Sequence, residues 1–156
     1  GLGDVYKRQP YGNDAKDFFW GCLAEKCMNQ GVSLMYAYLL TGKDVYLTNA
    51  YRNMDYILGR NATGFCYVTG LGTKSPKHPH HRLSVSDDIE DPIPGFLVGG
   101  PNPGQQDGAF YPTASPDESY VDTEDSYASN EVAINWNAAL VALASSLDAL
   151  AVYSVK

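Results

Sequence analysis

Residues 23–59, LAEKCMNQGVSLMYAYLLTGKDVYLTNAYRNMDYILG, decide the fold class. Met28, Val32, Met35 and Leu39 recur at spacings of three and four, and Leu34, Tyr36 and Leu40 widen the apolar surface, so a helix is predicted over 23–40. Thr41-Gly42 ends it, glycine being the usual residue just past a helix. Asp44 has the side chain of an N-cap for a second helix over 45–58, with Leu47, Tyr51, Met54 and Leu58 in register and Gly59 as its stop. The short connection makes the pair an antiparallel helical hairpin.

A second helical pattern closes the chain. Over 129–152, Val132, Trp136, Leu140, Leu143, Leu147 and Leu150 form one stripe, and Ile134, Val141 and Ala144 broaden it, which predicts burial on most sides. Residues 61–125 differ. They hold eight of the nine prolines and many glycines, so regular helix is excluded. Only 65–69 has a strand-like pattern. Phe65, Phe96, Leu97, Val98, Phe110 and Tyr111 can anchor this long loop to a surface, and ordered loops of such length are usually functional. The fold class is therefore mainly α: a hairpin, a long ordered Pro/Gly-rich loop, and one long helix. Residues 1–9 (GLGDVYKRQ) fit none of this and read as a non-native remnant, leaving 10–156 as the domain.

The totals narrow the function classes. With 44% apolar and 19% charged residues among 156, the chain is globular in composition. Its formal charge of −7 argues against a nucleic-acid partner and against a basic membrane-surface helix. No uninterrupted apolar run reaches the roughly 18 residues of a membrane span. Cys22, Cys27 and Cys66 make an odd count, against a closed disulfide framework, although Cys22 and Cys27 lie near enough in sequence to approach each other.

Two clusters carry chemistry. In 120–138, Asp122, Glu124, Asp125 and Glu131 are interleaved with Tyr120, Tyr127 and Trp136. Carboxylates move protons, and flat rings stack on the apolar faces of sugars. Glu131 is expected at or just before a helix N-terminus. As a general acid it would need burial and like-charged neighbours such as Asp122 and Asp125. The plain alternative is an acidic loop capping the last helix. The other cluster is Lys77-His78-Pro79-His80-His81-Arg82. Zinc on His78, His80 and His81 is a weak reading, because the usual ligand spacings are missing. Two residues apart on an extended loop, His80 and Arg82 point the same way and can grip hydroxyls or orient a carboxylate. Asn61-Ala62-Thr63 has the glycosylation pattern, but these residues more simply close a helix end.

Two patterns then resemble one family, the glycoside hydrolase family 9 cellulases (endo-β-1,4-glucanases). Val68-Thr69-x-x-Gly72-x-Lys74-x-x-x-x-Pro79-His80-x-Arg82 looks like its histidine signature, with Cys66 where Ser, Thr or Val is usual. Tyr120-x-Asp122-x-x-x-x-Tyr127-x-x-x-Glu131-x-Ala133-x-x-x-Asn137-Ala138 looks like its carboxylate signature at every fixed position. The likeness covers about 11–153. It implies a partial (α/α) barrel of helical hairpins, the C-terminal part of the catalytic domain, secreted or periplasmic; no cofactor is expected, and no metal on the residues of this chain. It implies Glu131 as general acid, Asp122 as its supporting carboxylate, and His80 and Arg82 holding the sugar. Tyr127 and Trp136 would line the cleft, Trp136 standing where the family commonly has Tyr. The implied partners are a β-glucan and the N-terminal part of the same domain. Family members invert, and their base is an Asp in an Asp-Ala-Gly-Asp-like motif that this sequence does not contain. The chain alone is therefore expected to be inactive. The runner-up expectation is a non-catalytic carbohydrate-binding or interaction module derived from such an enzyme.

Overall fold

Helix α1 (Asn29–Thr41) and helix α2 (Asp44–Ile57) form the expected hairpin in the computed structural model, which describes residues 15–154. The expectation for residues 1–9 lies outside the described residues. The first helix begins earlier as a π-helical stretch, Leu23–Met28, continuous with α1. Gly42 closes it in the left-handed region (φ 66°), where a Cβ would be strained, and its N–H donates to Tyr38 O at 2.7 Å. The cap of α2 is Lys43, not Asp44. Its backbone is extended, and Asp44 is the first helical residue, with its charge near the positive end of the helix.

The buried register of the hairpin is also shifted. Met28 and Met35 are buried as expected, but Leu39 is 64% exposed. On α2 the fully buried face is Ala50, Asn53, Tyr56 and Ile57, whereas Tyr51 and Leu58 are exposed. The apolar pattern missed this because a polar residue occupies the face. Asn53 is satisfied there, its Nδ2 donating to Asn49 O at 3.2 Å and its backbone carbonyl accepting from Cys27 Sγ at 3.3 Å. Cys22, Cys27 and Cys66 are buried thiols outside any disulfide. Burial, then the proximity of Cys22, pushes the Cys27 thiol well above its ordinary pKa.

The last helical region is split in two. Helix α4 (Tyr127–Asn130) ends at Glu131, and helix α5 (Ile134–Ser154) begins three residues later. Ala139, Leu140, Leu143 and Leu147 of α5 are buried, and Val132, Trp136 and Leu150 pack against the core. The opposite face is open, with Ile134 93% and Val141 64% exposed, so α5 is not buried on most sides. Its window Ile134–Ala151 has a mean hydropathy of 1.2, apolar enough by length and composition to cross a membrane. Asn137, Ser145, Ser146 and Asp148 interrupt it, and its buried Leu140, Leu143 and Leu147 face protein.

Between α2 and α4 the chain is irregular apart from the short helix α3 (Arg82–Ser86). No strand forms among the described residues. The strand-like 65–69 makes only an isolated antiparallel bridge, Val68 to Leu97. Its other backbone groups bond elsewhere, Cys66 N to Lys74 O and Tyr67 N to Ile57 O. Phe65, Leu97, Val98 and Tyr111 anchor the segment as expected, but Phe110 is 87% exposed. The rings of Phe65, Tyr67 and Tyr120 meet with centroids 5.0–5.7 Å apart, and such contacts contribute about 0.5–1.5 kcal/mol each beyond area burial.

Candidate active site

The site rests on the turn of α4. A four-residue helix cannot hold itself, and Ser126, its N-cap, makes no capping bond with its side chain. The cap comes from 21 residues away. Asp107 Oδ2 accepts from Ala128 N at 2.8 Å, Tyr111 OH at 2.8 Å and Ser126 Oγ at 2.9 Å. Desolvation opposes the Asp107 charge, but the donors Tyr111, Ala128, Ala109 and Ser126 outweigh it and hold the carboxyl below its ordinary pKa.

Asn130, at the end of α4, is fully buried. Its Nδ2 donates to His78 O at 2.7 Å, Asp122 Oδ1 at 3.0 Å and Thr123 O at 3.3 Å, while its Oδ1 accepts from Tyr120 OH at 2.6 Å. One amide thereby ties the histidine segment and the acidic segment to the aromatic core. Asp122 closes the same knot by accepting from Lys77 N at 2.7 Å and His78 N at 3.0 Å. A carboxylate taking three N–H bonds is occupied with holding two segments together.

The next residue is Glu131. Its backbone is extended (φ −71°, ψ 147°), not helical, and forms an isolated parallel bridge with His80. His80 N donates to Asn130 O at 2.8 Å, and Gly99 N donates to Glu131 O at 3.0 Å. Behind this pair runs the glycine-rich turn. Gly100 has φ 88°, and a Cβ there would lie 2.2 Å from Leu23 Cγ, so only glycine fits. Glu131 Oε2 accepts from Trp20 Nε1 at 3.0 Å. The Trp20 ring lies 5.2 Å from that of Tyr127, which is 6.0 Å from the His80 ring.

His80 Nδ1 bonds Glu124 O at 2.5 Å. A carbonyl only accepts, so Nδ1 carries the hydrogen and Nε2 of the neutral ring is the acceptor. Arg82 is the first residue of α3, not part of an extended loop. It still shares an open cleft of about 450 Å³ with His80, Glu124 and Asp125. His81 caps α3 through Ser84, with Nδ1 at 2.9 Å from Ser84 Oγ. The three histidines thus have separate roles, and no group of three or more His, Cys, Asp and Glu able to hold a metal gathers among the described residues.

The structure therefore brings Glu131, His80 and Tyr127 together and sets Arg82 on the adjoining cleft. Asp122 is turned to the backbone of 77–78. Trp136 packs on the core, its ring against Gly21 and Gly99, so its surroundings are those of a packing residue rather than a cleft wall. Three residues escaped the sequence reading. Trp20 lies just before the first predicted helix, where the run Phe18-Phe19-Trp20 was the available signal. Asn130 was hidden by its neighbour Glu131, and Asp107 lay in a stretch without periodicity.

Comparison with known proteins gives the family to which this arrangement of an acid and a histidine on an α-helical scaffold belongs. The glycosyl hydrolase family 9 model matches residues 4–144, and the chain belongs to that family. It is 99% identical over 147 residues, 94% of its length, to a xyloglucan-specific endo-beta-1,4-glucanase of Bacteroides ovatus, of which it covers 25%. It is 40% identical over 124 residues to endoglucanase D of Acetivibrio thermocellus, covering 80% of this chain and 18% of that protein. Among solved structures, a Bacteroides ovatus family 9 enzyme superposes with a TM-score of 0.86 at 84% identity, over 96% of this chain and 26% of that one. The enzyme AaCel9A, in complex with cellobiose-like isofagomine, superposes with a TM-score of 0.77 at 38% identity, over 86% of this chain and 26% of that one. The chain spans between 18% and 26% of the length of these relatives.

Proposed function

We propose that this chain carries the acid half of an inverting β-1,4-glucanase site, with Glu131 as the general acid. The observation that carries the reading is the bridge setting Glu131 beside His80, with the carboxyl held by Trp20. In the proposed step Glu131 gives its proton to the departing glycosidic oxygen. His80 and Arg82 bind hydroxyls of the sugar around the cleaved bond, and Tyr127 forms an aromatic wall. Asp122 acts at one remove, by fixing the segment that bears His80. The substrate is a β-1,4-linked glucan, and the near-identical relative makes xyloglucan the first to try.

The proposed scaffold is part of an (α/α) barrel, with residues 61–125 building the cleft. The open faces of α1 and α5 support this, as does the share of the relatives that the chain covers. Inversion needs a base and a water opposite the acid, with the two carboxyl groups roughly 6.5–9.5 Å apart. The sequence holds no Asp-Ala-Gly-Asp motif, its Asp14-Ala15-Lys16-Asp17 having Lys where the glycine would be, so in this reading the base belongs to the remainder of the domain and the chain alone is inactive. Acting on a polymer implies a secreted or periplasmic enzyme, which fractionation of producing cells would test. The direct test is release of reducing ends from xyloglucan and soluble cellulose. The isolated chain should give none and the full-length enzyme should be active. Measurable turnover by the chain alone would falsify the half-site reading.

A further inference from the structure

Trp20 donates a hydrogen bond to the Glu131 carboxyl, and neither signature pattern includes it. It reaches Glu131 from 111 residues away. The residue is 40% exposed, and its ring lies against Tyr127, which is itself fixed by its hydroxyl on Gln106 O at 3.1 Å. We infer that Trp20 is a positioning residue for Glu131, one that decides which carboxyl oxygen carries the transferable proton.

An indole N–H can only donate. Because the carbonyl oxygen of a carboxylic acid accepts more strongly than its hydroxyl oxygen, the bond to Oε2 favours a protonated Glu131 that carries its hydrogen on Oε1. When the glycosidic bond breaks, the Oε1–H bond breaks, a new O–H bond forms on the departing oxygen, and the electron pair stays on the carboxylate. The Trp20 N–H is not consumed. As negative charge grows on the carboxyl, the Trp20 bond becomes charge-assisted, and such bonds are about twice as strong as neutral ones. An interaction that strengthens along the reaction lowers the barrier rather than only improving binding. The inference rests on Glu131 being the general acid.

The test uses the full-length enzyme and two substrates. One is a β-1,4-gluco-oligosaccharide, whose leaving group needs protonation. The other is a 2,4-dinitrophenyl β-cellobioside, whose leaving group departs without it. Trp20→Phe keeps a ring against Tyr127 and removes the N–H. Losing one hydrogen bond to a charged group should lower kcat on the oligosaccharide about 10- to 100-fold. The fall on the aryl glycoside should be at least about tenfold smaller, with KM on both changed by less than about threefold. The ratio of the two activities is internal to one preparation, so partial unfolding of the variant does not disturb it. Glu131→Gln serves as the reference. If it lowers both substrates equally, the acid reading itself fails. If it shows the leaving-group dependence while Trp20→Phe lowers both equally, or neither, the role of Trp20 is overturned.

Discussion

Asn130 and Ile134 stand four residues apart and are opposites. Asn130 is polar, fully buried, and makes four side-chain hydrogen bonds. Ile134 is apolar and 93% exposed. Burying an amide costs several kcal/mol unless its bonds are made, and here they are. Leaving Ile134, Val141, Tyr36, Leu39 and Leu40 in water gives up the transfer free energy that drives folding. The chain thus completes the polar interior of its site within itself and leaves its helical scaffold open. Under the proposed reading, the site half folds with the chain, whereas the outer faces of α1 and α5 await the rest of the domain.

The largest effect tests the site side. In the full-length enzyme Glu131→Gln should lower kcat on xyloglucan by about 10²–10⁴-fold while the melting temperature stays within a degree or two of the parent. Near-normal turnover would remove Glu131 from the proposed role. The knot comes next. Asn130→Leu leaves Asp122, His78 O, Thr123 O and the Tyr120 hydroxyl without their shared partner and should cost about 3 kcal/mol or more, read by urea denaturation. A cost below about 1 kcal/mol would mean that the two segments are held by other contacts.

The open side is sharpened by one substitution in two settings. Ile134→Lys should change the stability of the isolated chain by less than about 0.5 kcal/mol, and cost about 2 kcal/mol in the full-length enzyme, where the face would be covered. Equal effects in both would end the idea that this face is a seam. The smallest effect is in acid. The Asp107 pKa is lowered on folding, so its contribution is complete above the unfolded value of about 3.9 and is lost as pH falls through the lower folded value. Below about pH 4 the stability of wild type should therefore fall more steeply than that of Asp107→Asn, measured by acid titration of tyrosine fluorescence.

The helices were legible because their apolar spacing is a local property. The site signatures were legible because Glu131, Asp122, His80 and Arg82 sit at fixed offsets. What the sequence hid was contact between distant segments. The cap of α4 comes from Asp107 and the partner of Glu131 from Trp20, and no periodicity links either pair. The expectation of one helix over 129–152 failed for a related reason. Glu131 and Val132 spend their backbone groups on Gly99, His80 and Val98 instead of on a helical ladder. The buried face of α2 was misjudged because Asn53, a residue counted as polar surface, is paired inside.

The end of α2 bears on how the protein can be made. Asn61 Nδ2 donates to Tyr56 O at 2.7 Å and Phe65 O at 2.8 Å, while its Oδ1 accepts from Thr63 N and Thr63 Oγ1. The acceptor amide of the Asn-Ala-Thr sequon is thus consumed by the turn that follows the helix. In a yeast or mammalian secretion host, oligosaccharyltransferase would compete with folding for this nitrogen. The glycan occupancy of Asn61 would then report how quickly that turn closes behind the ribosome.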